Sequence, residues 1–86
     1  MPAIPLNALR TFEAVASRLS FAKGAEALNV SPAAVSSQIR ALEQRLNLTL
    51  FHRHGRQVTL TRAGRKLLPG VQRGLAELRR AVEEVS

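Results

Sequence analysis

Residues Ser20 to Leu46, SFAKGAEALNVSPAAVSSQIRALEQRL, constrain the fold more than any other part of the chain. Ser20 is a good N-cap for a short helix over Phe21–Leu28, and Asn29 suits the left-handed backbone that ends one. Two residues on, Ser31 caps a second helix, with Pro32 in its first position, where the missing N–H costs little. Ala25, Leu28, Val30, Val35, Ile39, Leu42 and Leu46 form an apolar register beneath the pair. Asn47 closes the second helix as Asn29 closes the first. Two helices on a tight turn with an apolar underside make a helix-turn-helix. The side chains facing away from the register are small, polar or hydrogen-bonding, which suits base edges in a groove better than a core.

The flanking segments extend this body. Leu6, Leu9, Phe12, Val15, Ala16 and Leu19 recur at helical spacing after Pro5, so a helix covers Leu6 to Arg18. After Asn47, LTLFHRHGRQVTLT alternates apolar positions on either side of His54-Gly55 and predicts a two-stranded hairpin with its tip between Arg53 and Gln57. Thr61 then caps a helix from Arg62 to about Val85, roughly 35 Å long at ~1.5 Å per residue. Leu68, Val71, Leu75, Leu78, Val82 and Val85 step along it by three and four, a heptad-like seam for another helix. Pro69 removes a backbone bond within that seam, which predicts a kink or a late start. Gly70 and Gly74 weaken the same region by up to about 1 kcal/mol each. The expected architecture is mainly α: a winged helix-turn-helix, with three helices and a two-stranded β-wing, over residues 1–61, followed by a long linker and dimerisation helix over 62–86.

Charge points to the partner. Thirteen Lys and Arg against six Asp and Glu leave a net charge of +7. Residues 1–74 hold eleven of the basic and three of the acidic groups, so the body is basic and the tail near neutral. That balance fits a polyanion for the body and a protein for the tail. With no cysteine, neither a disulfide framework nor cysteine chemistry is available. No run of about 18 uncharged apolar residues exists to span a membrane, and MPAIPLNALR lacks the charged and apolar regions of a signal peptide. His52 and His54 could share one strand face, but no cysteine or nearby carboxylate completes a metal site. No phosphate-cradling glycine loop and no nucleophile paired with a base is found, so the chain reads as a non-enzyme needing no cofactor.

On the second helix of the motif, Pro32, Ala33, Ser36, Ser37 and Arg40 avoid the core stripe, and Gln38 sits at its edge. Gln38 can pair bidentately with adenine, Ser36 and Ser37 can donate or accept at several bases, and Pro32 and Ala33 can touch a thymine methyl. These five, with Arg40 excluded, form the expected base-reading set. Arg10, Ser20, Lys23 and Arg40 are placed on phosphates, which position a domain without reading sequence. Arg53 and Arg56 flank the wing tip, where an arginine can enter a narrow minor groove. The competing bland reading makes Ser36 and Gln38 solvated helix residues and the arginines ordinary surface charge. Two further readings stay open: a helical pairing module with an incidental basic face, and a basic amphipathic protein on anionic membranes, which needs exposed Trp or Phe.

The order Leu9-Arg10-x-Phe12, Leu19-Ser20-Phe21, Ala25-x-x-Leu28, Ser31-Pro32-Ala33-Ala34-Val35-Ser36-x-Gln38-Ile39, Leu42-Glu43, Leu50-Phe51-x-Arg53 and Leu60-Thr61-x-Ala63-Gly64 resembles the N-terminal domain of LysR-type transcriptional regulators over nearly the whole chain. PLNALRTFEAVASRLSF is most similar to the branch that regulates glycine cleavage and β-lactamase expression. The resemblance implies a bacterial, cytoplasmic, nucleoid-associated regulator that binds double-stranded DNA as a homodimer through the linker helix, with tetramers in the full-length protein. A dimer would set its third helix in the major groove and its wing in the minor groove of an interrupted palindrome. It also implies a C-terminal effector-binding domain, absent from these 86 residues, as the seat of any small-molecule effector. Several positions depart from the family pattern: Ala22 for a frequent Thr, Gly24 for Ala, Pro32 for Gln, Ser37 for a longer basic or imidazole side chain, and Asn47 for Gly.

Overall fold

The computed structural model describes residues 3–55 and 57–86; Arg56, expected at the wing tip, lies outside them. The elements run α1 (Leu6–Arg18), α2 (Phe21–Leu28), α3 (Pro32–Leu46), β1 (Phe51–His54), β2 (Gln57–Leu60) and α4 (Arg62–Val85). Three hydroxyls start three of the helices. Ser20 Oγ accepts from Lys23 N, Ser31 Oγ from Ala34 N and Thr61 Oγ1 from Gly64 N, each at 3.1 Å, satisfying N–H groups that have no partner inside the helix.

The helix ends are equally specific. Asn29 and Asn47 take left-handed backbone at φ 59° and 55°, and the amides after them return to Ala25 O and Glu43 O at 3.0 Å. These 6→1 bonds fold the chain back at each turn. Leu19 ends α1 in the same conformation, at φ 51°. A leucine there carries a steric cost of about 1–2 kcal/mol that an asparagine or glycine relieves. No local signal in the sequence marks it.

The core lies where α1, α2, α3 and the wing converge. Phe12, Val15, Ile39, Val35, Leu42 and Leu50 are its largest fully buried members. Phe51 enters from the wing and packs against Phe12 and Phe21, with ring centroids 5.5 and 5.6 Å apart. These tilted and edge-on geometries are the favourable ones for aromatic pairs. The expected register under the helix-turn-helix needs correction at its ends. Val30 is 48% exposed and Leu46 37%, because each sits beside a left-handed residue that turns the chain away from the core. The close crossing of α1 and α2 falls on Gly24 as well as Ala25: a Cβ on Gly24 would lie 2.8 Å from Val15 Cγ2.

In the wing, β1 and β2 are antiparallel, with Phe51 opposite Leu60, His52 opposite Thr59, Arg53 opposite Val58 and His54 opposite Gln57. Gly55 takes φ +62° just beyond β1, as a tight hairpin requires. Glu43 fastens this ribbon to α3, its carboxylate accepting from Leu50 N at 2.7 Å and Phe51 N at 3.4 Å. Thr61 adds a second tie by donating to Thr49 O at 2.6 Å.

Helix α4 runs unbroken from Arg62, so no late start occurs at Pro69. Pro69 is exposed, leaving the Arg65 carbonyl it cannot bond within reach of water. The seam expected for pairing divides at Leu75. Val71 and Leu75 are buried and Leu68 half-buried against the chain's own core, because α1 lies alongside this part of α4. Leu78, Val82 and Val85 stand clear at 50%, 63% and 86% exposure. Among the described residues, no helix is long and apolar enough to cross a membrane.

Candidate nucleic-acid interface

The caps that begin α2 and α3 also aim them. With Ser20 and Ser31 holding the first turns, both N-termini open toward the wing, and one cleft brings Ser20, Ala22, Pro32, Arg53 and Gly55 together. Free N–H groups and the positive ends of two helix dipoles therefore meet at one side of the molecule. Lys23 lies one turn into α2, exposed. Among the described residues, no acidic side chain lines that cleft.

On α3, burial of Val35, Ile39 and Leu42 fixes which positions point outward. At ~100° per residue, Ala33, Ser37 and Arg40 lie opposite that stripe, and all three are exposed. Pro32 is also exposed, at the end nearest the cleft. Ser36 occupies the flank facing the wing and is half-buried. Gln38, expected as a base reader at the edge of the core stripe, sits ~200° around the helix from Ser36, on the other flank. Its side chain is exposed but turned to α1, where its Oε1 accepts from the Thr11 hydroxyl. Thr11 also donates to Asn7 O at 3.1 Å, so one proton is shared between two acceptors. Gln38 and Ser36 thus stand on opposite flanks of α3.

Two arginines are placed differently from expectation. Arg10 lines a groove between α1 and α4 with Leu6, Leu75, Leu78, Arg79 and Val82, away from the cleft. Arg53 lies back over the HTH body: its Cζ sits 4.3 Å from the Phe21 ring centroid, and its Nη1 donates to Ser36 Oγ at 3.3 Å. The reason is register. Arg53 pairs with Val58 at a position whose side chain crosses to the helical side of the ribbon, above an aromatic ring that attracts a cation. Sequence reading missed this contact and the Thr11–Gln38 contact, since both join residues far apart in the chain. His52 and His54 share the opposite face, ring centroids 6.2 Å apart. Among the described residues, no group of three or more His, Cys, Asp or Glu could hold a metal.

A protruding helix with short outward side chains, flanked by cations and a hairpin, is the geometry of a winged helix-turn-helix. Comparison with known proteins decides which kind. A family model described as "Bacterial regulatory helix-turn-helix protein, lysR family" matches residues 6–65. The chain belongs to the LysR family. It is 59% identical over 66 residues to the HTH-type transcriptional activator AmpR of Yersinia enterocolitica, covering 77% of this chain and 22% of that protein. A structure titled as a BenM_DBD/catB site 1 DNA complex is similar with a TM-score of 0.88 at 30% identity, over 95% of this chain and 91% of the other. The oxidized form of Corynebacterium glutamicum OxyR is similar with a TM-score of 0.92 at 32% identity, over all of this chain and 28% of that one. The curated LysR-family relatives are several times longer, and the chain spans 22% of AmpR and 28% of the Escherichia coli regulator PerR.

Proposed function

We propose that this LysR-family chain is a sequence-specific DNA-binding unit that works as a homodimer. Helix α3 enters the major groove, with Pro32, Ala33, Ser36 and Ser37 at base edges, and the wing tip follows the adjacent minor groove. Lys23, Arg40 and the start of α2 at Ser20 hold phosphates on either side. One observation carries the reading: the outward face of α3 is exposed, small and hydroxyl-bearing, yet bracketed by cations and two open helix N-termini. A surface built only for helical pairing has no use for that arrangement. A membrane-binding face is also poorly served, since Phe12 and Phe51 are buried and Phe21 lies beneath Arg53.

The pairing surface is the groove between α1 and the outer half of α4, where Leu6, Leu78 and Val82 are exposed together. Residues 62–86 then serve two ends, with the first half of α4 completing the core and the second half meeting another copy. Two protomers joined there would present two α3 helices to successive major grooves of an interrupted palindrome. The whole protein, a cytoplasmic regulator that assembles to tetramers on its operator, would receive its small-molecule signal through parts of the relatives that this chain does not span.

Binding measured against salt tests the DNA-binding reading. If about six phosphates are engaged per dimer, log K falls with log salt at a slope near −5. Lys23→Ala weakens binding to every sequence alike and brings the slope about two units closer to zero, one per protomer. A flat salt response contradicts the reading.

A further inference from the structure

Arg53 and Ser36 are joined in a way that bears on which bases Ser36 can accept. A serine hydroxyl is ambivalent, with one proton to donate and two lone pairs to receive. By itself it tolerates any base edge in the major groove. Arginine has five N–H donors and no acceptor, so Ser36 Oγ is the acceptor in the 3.3 Å bond from Arg53 Nη1. The hydroxyl proton is thereby turned away from the wing. Among the described residues it has no protein acceptor, unlike Ser17, whose hydroxyl donates to Glu13 O one turn back at 2.8 Å. The second lone pair of Ser36 lies in the field of the same guanidinium, which repels the partial positive charge of an approaching amine.

We infer that Arg53 is a specificity-determining positioning residue, which fixes Ser36 as a hydrogen-bond donor and so excludes cytosine from the base it faces. Guanine offers N7 and O6, adenine N7 and thymine O4 to such a donor, whereas cytosine offers its N4 amine. The Phe21 ring, 4.3 Å beneath Cζ, holds the guanidinium plane while one nitrogen reaches Ser36. A lysine ammonium is a point charge and lacks the planar fork needed to lie on the ring and reach the hydroxyl together. The inference rests on the groove-reading role proposed above, and it gives the wing arginine an effect on specificity besides any attraction to phosphate.

The test begins with wild-type protein and a duplex pool with randomised half-sites, which locates the base step altered by Ser36→Ala. Four duplexes differing only at that step are then titrated with wild type, Ser36→Ala, Arg53→Lys, Arg53→Ala and the double variant Arg53→Lys/Ser36→Ala. Wild type disfavours cytosine by about fivefold, the low end for a single base contact. Arg53→Lys, which keeps the charge, loses that discrimination to the level of Ser36→Ala, and the double variant loses no more. Thermal melts verify the fold, and Arg53→Lys carries the test should Arg53→Ala loosen the wing. The inference is overturned if Arg53→Lys retains the exclusion of cytosine, if Ser36→Ala alters no step, or if the two effects multiply. A wild-type chain that selects no consensus overturns the DNA-reading proposal itself, and this inference with it.

Discussion

Leu78→Glu lowers the affinity of the chain for a two-half-site operator by 10²- to 10⁴-fold, while binding to an isolated half-site keeps its strength. The size follows from linkage: when one half of a dimer is bound, the other binds at an effective concentration set by the joint between them, and breaking the joint forfeits that gain. Leu78 is 50% exposed in the groove where Leu6 and Val82 are also uncovered. In the proposed dimer a glutamate there would bury an unpaired carboxylate against a second apolar face, at a cost of several kcal/mol per ion. Leu78 lies outside the core cluster, so the variant melts as wild type does. Sedimentation of the free chain and titration of one- and two-half-site duplexes check both halves of the expectation. Equal losses on the two duplexes would place Leu78 in the fold or at DNA instead.

Gly64→Ala has the largest expected effect on stability, about 3 kcal/mol. Gly64 stands in the first turn of α4, its N–H on the Thr61 hydroxyl. A Cβ at this position would press on the Leu50 carbonyl oxygen, well inside van der Waals contact, and lie 2.8 Å from Leu60 Cδ2. The leucine side chain can yield. The carbonyl cannot move freely, since it accepts from Thr61 N at 3.0 Å and its residue is fully buried. Overpacking of a core costs about 1–3 kcal/mol, and a fixed backbone atom puts this site at the upper end. Gly74 makes the contrast: a Cβ there meets nothing within 4 Å, so alanine gains helix propensity without a clash. Urea unfolding of the two variants separates close packing from propensity, and a Gly64→Ala chain as stable as wild type would refute the argument.

The helix boundaries were legible because three of the four starts carry a capping hydroxyl and two of the stops carry local chemistry. Ser20, Ser31-Pro32 and Thr61 announce helix starts through oxygens that can reach only the next turn, and Asn29 and Asn47 announce stops by tolerating left-handed backbone. Leu19 takes the same conformation although a leucine side chain has no such preference, so its left-handed backbone was not legible from its residue type. The apolar seam of α4 was legible as a pattern. Its division at Leu75 was not, since three-four spacing reads alike against a helix of the same chain or of another. The interface shows the same limit. Ala33, Ser37 and Arg40 face outward as helical periodicity requires. The placement of Gln38 beside Thr11, and of Arg53 over Phe21, depends on how distant elements meet, and periodicity carries no record of that.

Selection of bound duplexes from a random pool tests the central claim, that the side chains after Pro32 on α3 read base edges. The expected result is a consensus of two half-sites related by a dyad, about one helical turn apart, in which Ser37→Ala relaxes one step and Ser36→Ala another. Recovery of no consensus, or of one that neither serine variant alters, would contradict it.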